Sequence, residues 1–359
     1  MSRPPNSSPP VGSEWVSSES TSRQVEESTS SRGRVVVLAG GLSHEREVSL
    51  RSGGRVVDAL LDAGIEAVLR DADAGLVAGL AAEPGATVFP VLHGASGEDG
   101  AIRAVLELLG IRYVGSAPGA CRMAFDKAIA KSVVARAGLA TPEAMAMAAS
   151  TFRDLGAPAL LDALVDRLGL PLMVKPNVGG SALGAAVVRD RNDLPAAMVG
   201  AYAYADVVLV ERFVAGTEVA VTVIDAGSGP VALPPVEIVP DDGFYDYAAR
   251  YTAGRTEFFT PARLEPETAA AVARCAVTAH GALGLRHLSR TDVIIDAAGL
   301  PWFLEVNVSP GMTETSLTPQ AIRAAGMDLA EVCHALVVSA GSPSRQTLPD
   351  GPSRDVAVG

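Results

Sequence analysis

Between Thr291 and Asn307 the chain reads TDVIIDAAGLPWFLEVN, two apolar runs around a turn at Ala297–Gly299. Two strands folded back at that turn set Asp292 across from Glu305, and Glu305 shares a face with Asn307 because side chains alternate along a strand. Two carboxylates and one amide oxygen then converge among Val and Ile neighbours. Converging carboxylates repel unless a cation or a proton intervenes. An all-oxygen set suits Mg²⁺, which takes its remaining ligands from phosphates and water. The hairpin alone is equally compatible with a solvated strand face carrying chance carboxylates.

Lys175 ends an apolar run, Leu172–Pro176, and precedes a loop with Gly179, Gly180 and Gly184. Glycines let backbone N–H groups approach phosphate oxygens, and the lysine adds a point charge. A flexible surface loop reads the same way; a downstream Mg²⁺ hairpin turns the pair into a nucleotide-site hypothesis. The motif is neither a P-loop nor a dinucleotide fingerprint, both of which need a helix directly after the glycines. His93 follows a buried run and precedes Gly94 and Gly97, where a site histidine would be presented, although a lone loop histidine is commonly just solvated. Glu98 and Asp99 fit helix caps equally well. Ser43 reads as an N-cap, with Glu45 and Glu47 in the first turn of a helix.

The elements that must position these groups fall into three folded segments. Residues 34–118 alternate strand and helix: strands at Arg34–Ala39, Ala67–Leu69 and Ala86–Leu92, helices from Ser43 to about Ala63 and over Ala101–Leu109. That is a doubly wound parallel unit with ligand loops at its strand ends. Residues 119–212 hold helices over Lys127–Ala137 and Leu160–Arg167, then strand, glycine loop and a returning strand at Ala185–Arg189. Residues 213–340 are strand-rich, with strands at Val219–Asp225 and Val236–Val239, a polar loop at Asp241–Thr256, helices over Pro266–Gly284 and Asp328–Val338, and the hairpin. Residues 1–33 and the end from about Gly341 read as disordered tails, too poor in large apolar groups to offset ordering entropy.

Composition bounds the function. The chain has 359 residues, 48% hydrophobic, with a formal net charge of −12, which disfavours a nucleic-acid surface. Cys121, Cys275 and Cys333 are widely spaced and read as buried thiols. No apolar run is long enough for a membrane span, and no secretory h-region opens the chain, so a cytoplasmic location is expected.

Seven segments, in order, carry a family resemblance: GGLSHEREVSL, HGASGEDG, FDKAIAK, VKPNVGGSALG, VLVERFVAGTEVAV, FYDYAARY and SRTDVIIDAAGLPWFLEVNVSPGMTETSL. The chain resembles D-alanine–D-alanine ligases over about Arg34 to Val338. The resemblance implies a three-domain ATP-grasp architecture of α/β class: an N-terminal doubly wound parallel sheet and two α+β domains with antiparallel sheets that hold ATP between them. It implies ligation of two D-alanines through an acyl phosphate, for peptidoglycan precursors, with two Mg²⁺ ions (or Mn²⁺), small-molecule partners and a homodimer.

The resemblance also implies roles by position. Lys127 and Lys175 are nucleotide lysines, Glu211 accepts the adenine amino group and Glu218 the ribose, and Asp292, Glu305 and Asn307 hold the metals. Gly180, Ser181 and Ala182 cover the phosphates. Arg290 and the N–H of Gly311 face the oxyanion. Glu45 holds the ammonium of the first D-alanine and His93 lies near its carboxylate. Ser181 and Tyr251 join Glu45 in a network that closes the site. Ser316 and Leu317 meet the second D-alanine. Two departures stand out: Arg250 replaces the lysine usual before the loop tyrosine, and Ala182 replaces a serine. The competing expectations are a related ligase taking D-lactate, D-serine or a specialised-metabolite amino acid as second substrate, or a non-catalytic ATP-binding paralogue. The retained Tyr251 favours an amine nucleophile, and the intact Arg290, Asp292, Glu305 and Asn307 oppose the paralogue.

Overall fold

The computed structural model describes residues 34–341 apart from 242, 244, 246–248, 251 and 253. The terminal segments expected to be disordered, except Gly341, lie outside the described residues, as does Tyr251. Three sheets organise the chain, one in each of the segments separated above.

The first sheet is parallel, in the order β2-β1-β3-β4: β1 (Val35–Ala39), β2 (Ala67–Asp71), β3 (Thr87–Pro90) and β4 (Arg112–Tyr113). Strand β1 is buried at every residue, as its unbroken apolar run requires for a central parallel strand. Around the sheet lie α1 (Arg46–Asp62), α2 (Leu76–Ala81), α3 (Ala95–Glu98) and α4 (Ala101–Leu108). Helix α1 begins later than Ser43. Its N-cap is Glu45, and Ser43 Oγ accepts the Glu45 N–H at 3.2 Å, so Ser43 holds the turn before the helix.

Helices α5 (Pro118–Phe125) and α6 (Lys127–Arg136) lead into the second sheet. It is antiparallel, in the order β5-β8-β6-β7: β5 (Ala144–Ala148), β6 (Leu172–Pro176), β7 (Ala186–Val188) and β8 (Val207–Arg212). Helices α7 (Ala149–Leu155), α8 (Ala157–Leu168) and α9 (Leu194–Tyr202) accompany it. Leu164, Leu168, Leu172, Val174, Leu194 and Val210 share one apolar core there. Glu211 therefore sits near the end of β8, a central strand of this sheet.

The third sheet runs β12-β11-β9-β13-β14, with β10 against β9, all antiparallel. Its strands are β9 (Thr217–Asp225), β10 (Val231–Ala232), β11 (Val236–Pro240), β12 (Thr256–Phe259), β13 (His287–Ile295) and β14 (Pro301–Asn307). Helix α10 (Pro266–Ala282) packs on it with α5 and α6: Cys121, Val134, Val221, Val272, Cys275 and Phe303 belong to one cluster. Helices α11 (Leu317–Ala324) and α12 (Leu329–Ala340) close the chain. A second cluster joins α1, β1 and β3 to β9, β11, α11 and α12, so the first and third sheets share a core. All three cysteines are buried free thiols. Among the described residues, no helix is long and apolar enough to cross a membrane.

Candidate functional site

A cleft with two lobes runs between the sheets. One lobe, of about 580 Å³, lies over β6, β8, β9, β11 and β14; the other, of about 720 Å³, lies beside the α1 start, the loop after β3 and the loop before α11. Lys127, Gly180, Arg250 and Glu305 line both. They mark where a ligand in one lobe would meet a ligand in the other.

The second lobe is built from loops pinned by buried hydroxyls. His93 is buried, not solvated. Its Nδ1 lies 2.9 Å from the Ser309 carbonyl and its Nε2 3.3 Å from Ser52 Oγ. The Met312 N–H donates to the same Ser52 Oγ at 3.1 Å. One assignment satisfies all three: Nδ1–H donates to Ser309, and the Ser52 hydroxyl donates to Nε2 while accepting from Met312. That tautomer is neutral, and burial lowers the basicity of His93 in the same sense. Both ring nitrogens thus have protein partners, and the ring ties the first sheet to the loop carrying Gly311. Ser316 Oγ accepts the Thr313 N–H at 3.1 Å and lies 2.7 Å from Thr313 Oγ1, closing that loop. A Cβ at Gly311 would stand 2.7 Å from Ser316 Oγ, so a side chain there would displace that hydroxyl. Ser181 donates to Glu45 across the cleft. Glu98 is buried, and it reaches back to the N-cap of α3, accepting the Gly94 N–H at 3.0 Å. Burial and the nearby Glu45 push its carboxyl up to about 8. Asp99 precedes Gly100, the N-cap of α4, and accepts the Ala101 N–H at 2.7 Å.

The glycine loop is docked on the start of α6. Asn177 accepts the Lys127 N–H through its carbonyl at 3.0 Å and the Ala128 N–H through its side chain at 3.0 Å. The Lys127 ammonium donates to the Gly179 carbonyl at 2.6 Å. Within the loop Ser181 and Ala182 both have φ of 55°. This left-handed conformation is costly for residues with a Cβ and is retained where surrounding structure over-determines it. Lys175 lies 2.6 Å from Glu211, whose other oxygen is 2.7 Å from Lys131. Burial opposes the charge on Glu211, but the two lysines outweigh it and hold its carboxyl below the ordinary range. The Arg250 guanidinium stacks on the Tyr245 ring, 4.2 Å from its centroid.

The carboxylates gather on neighbouring strands. Asp292 pairs in register with Glu305 on β14 and Ala220 on β9, and Ile294 pairs with Glu218, so Glu218 and Asp292 project from one face. Asp292 receives both a 2.7 Å and a 2.8 Å hydrogen bond from Arg290. Glu305 lies 3.3 Å from Lys127. Burial works against the Glu305 charge, yet Lys127, Lys175, Arg250 and Arg290 prevail and bring its carboxyl down to about 2. Glu218 has fewer such neighbours. Burial, with Asp292 and Glu305 as negative neighbours and Arg250 as the opposing charge, pushes it up to about 7. The donor set is oxygen only and fits Mg²⁺. Among the described residues no trio of His, Cys, Asp or Glu side chains could hold a metal alone. A Mg²⁺ ion held here would have to draw its remaining ligands from phosphate oxygens and water.

Of the residues singled out from sequence, Glu45, His93, Ser181, Arg290, Gly311, Ser316 and Leu317 line the second lobe. Lys175, Ala182, Glu211, Glu218 and Asp292 line the first, and Asn307 the second. The network expected through Tyr251 lies outside the described residues. Sequence reading missed Lys131, Ser52 and Asn177. Each has the composition of an ordinary helix or loop residue, and only the folded neighbours reveal its contacts.

Known proteins resemble this chain over most of its length. Two family profiles match: D-ala D-ala ligase N-terminus over residues 63–116 and D-ala D-ala ligase C-terminus over residues 133–338. A D-alanine–D-alanine ligase of Bordetella petrii is 44% identical, the match covering 88% of this chain and 95% of the relative. Its counterpart in Anaeromyxobacter dehalogenans is 41% identical over 85% of this chain and 96% of the relative. Among solved structures, a D-alanine–D-alanine ligase of Bacillus anthracis complexed with ATP is similar at TM-score 0.72 and 27% identity, covering 86% of this chain and 97% of that one. The VanG D-Ala:D-Ser ligase of Enterococcus faecalis is similar at TM-score 0.75 and 26% identity, covering 86% and 99%.

Proposed function

We propose a mechanism that proceeds from one premise: the chain belongs to the D-alanine–D-alanine ligase family. It is an ATP-dependent ligase that joins two D-alanines. The observation that carries this reading is the two-lobed cleft, whose lobes meet at Lys127, Gly180, Arg250 and Glu305. A nucleotide in the first lobe would present its terminal phosphate there, within reach of an amino acid in the second.

In this reading Lys127, Lys175 and Arg250 neutralise phosphate charge while the carboxylate of the first D-alanine attacks the γ-phosphorus and ADP leaves. Glu305, Asp292 and Asn307 would hold Mg²⁺, which when bound supplies charge neutralisation across the transferring phosphate. Glu45, fixed by Ser181, binds the ammonium of the first D-alanine. His93 acts by shaping the loop after β14, since both its nitrogens are occupied. The amine of the second D-alanine then attacks the acyl carbonyl. Arg290 and the Gly311 N–H receive the developing oxyanion, and phosphate departs with the bonding pair. Leu317 supports the methyl group of the second D-alanine, and Ser316 holds the Gly311 turn beside its carboxylate. A homodimer and a place in peptidoglycan precursor synthesis, with action in the cytoplasm, complete the reading by family likeness.

The test is purified protein with ATP, Mg²⁺ and D-alanine against a panel of D-serine, D-lactate and L-amino acids, products identified by mass. D-alanyl-D-alanine should dominate. A mixed product such as D-alanyl-D-serine in excess at equal concentrations would move the chain to the related ligase with another second substrate.

A further inference from the structure

The pair Lys175 and Glu211 contains a conflict. Lys175 faces the nucleotide lobe, but its ammonium lies 2.6 Å from a carboxylate only 2% exposed. A lysine held that closely by a desolvated anion is a poor partner for phosphate or purine, because leaving the pair strands a buried charge. The structure supplies a second cation on the far side. Lys131, on α6, lies 2.7 Å from the other Glu211 oxygen. Its ammonium also donates to Thr141 Oγ1 at 2.8 Å and lies 3.5 Å from the Phe303 carbonyl. Lys131 is 4% exposed. It is absent from the lining of either lobe, whereas Lys175 and Glu211 line the first. The triad is therefore polar in its arrangement: an inner lysine anchored by β14 and the Thr141 hydroxyl, a shared carboxylate, and an outer lysine at the cleft wall.

We propose that Lys131 is a positioning residue for nucleotide binding: it keeps Glu211 neutralised, so that Lys175 can leave the carboxylate and engage ATP. The proposal rests on the reading of the first lobe as the nucleotide site. With Lys131 in place, moving Lys175 costs Glu211 one of two partners. Without it, Glu211 has Lys175 alone and retains it. The effect belongs to ATP affinity and leaves the D-alanine lobe untouched.

The experiment measures KM for ATP, KM for D-alanine, kcat and melting temperature for Lys131→Met, Lys131→Arg, Glu211→Gln, the Lys131→Met/Glu211→Gln pair and Lys175→Met. Lys131→Met should raise KM for ATP by about tenfold or more and leave KM for D-alanine within about twofold. Lys131→Arg, which keeps the charge, should stay within about threefold of the parent for ATP. The decisive comparison is the pair against Glu211→Gln alone. Once Glu211 is neutral, Lys131→Met should change KM for ATP by less than about twofold, a coupling that an independent structural role would not produce. If the Lys131→Met protein does not fold, the pair is read against Glu211→Gln alone, and a change in KM for ATP of more than about twofold there overturns the proposal. Equal losses from Lys131→Met in both backgrounds, or an unchanged KM for ATP in the single variant, would overturn the proposal. Lys175→Met tests the underlying reading separately: if KM for ATP is unaffected there, the nucleotide-site assignment fails whatever Lys131 does.

Discussion

Glu305 is where four cations converge on one carboxylate, with Lys127 at 3.3 Å and Lys175, Arg250 and Arg290 around it. Removing its charge leaves those cations uncompensated and weakens the proposed Mg²⁺ ligand. Glu305→Gln should lower phosphate release by about a hundredfold or more, and a rate within a few-fold of the parent would dismiss the hairpin as the metal site. Arg250 is different. It replaces a lysine usual in the family and stacks on Tyr245. Arg250→Lys keeps the charge and loses the stacking fork, and kcat/KM for ATP should fall by less than about tenfold; a far larger loss would mean a bidentate contact that lysine cannot make. How Glu305 came to face Asp292 shows the limit of reading single residues from sequence. The ladder nearest the turn pairs Ile295 with Pro301 and Val293 with Phe303, so an unbroken register would bring Leu304 opposite Asp292. The register shifts there, and Glu305 takes the place. The pairing was expected, but a one-residue bulge produces it, and nothing in the local sequence marks that bulge. Such bulges re-aim side chains beside active sites, and here Leu304 and Glu305 both line the first lobe.

At the scale of elements, the loop after β3 depends on backbone approach. A Cβ on Gly97 would lie 2.2 Å from the Leu92 carbonyl oxygen, so no side chain fits without moving the turn that carries His93 and Glu98. Gly97→Ala should cost about 1–3 kcal/mol of stability and raise KM for D-alanine. Gly200, inside α9 with no atom within 4 Å of an added Cβ, is the contrast: Gly200→Ala should be neutral or stabilise by up to about 1 kcal/mol through helix propensity. Thermal melts of both proteins, read side by side, check the pair, and an unaffected Gly97→Ala protein would contradict the geometry. The strands β1, β6, β9 and β11 were legible to within two residues because apolar runs of that length between turn signals have few alternatives. Strands β5 and β8 were not. Ala144–Ala148 alternates Ala with Met, which signals helix as readily as strand, and Val207–Arg212 ends in two charges, Glu211 and Arg212. Both become strands through their partners in the second sheet: β5 pairs with β8, and β8 with β6.

At the scale of the whole molecule, buried neutral histidines brace the third sheet, and one of them joins it to the first. His287, at φ 66°, accepts the Gly115 N–H through Nδ1 at 2.8 Å. A protonated ring would turn that acceptor into a donor. Burial, then Arg286, lowers His287 to about 4, and burial lowers His280 to about 4 as well. The unfolded chain therefore binds more protons than the folded one between about pH 6.5 and 4. Stability from these rings is complete above about pH 6.5 and drains as pH falls through that window, by up to about 3 kcal/mol for each ring. His287→Asn keeps an acceptor and tolerates positive φ, so its melting temperature should fall less steeply between pH 6.5 and 4.5 than that of the parent; parallel curves would remove His287 from the account. The family was legible from seven separated segments, because the cleft gathers its residues from all three sheets and each keeps a local signature. The contacts between those segments, such as His93 with Ser309, span 216 residues and leave no trace at either position. The central claim is that the chain makes D-alanyl-D-alanine by phosphorylating the first carboxylate. D-alanine labelled with ¹⁸O in its carboxyl group tests it in a single reaction with ATP and Mg²⁺. The account predicts D-alanyl-D-alanine and ADP in equal amounts, with one labelled oxygen carried into each phosphate released. Unlabelled phosphate, or AMP in place of ADP, would contradict it.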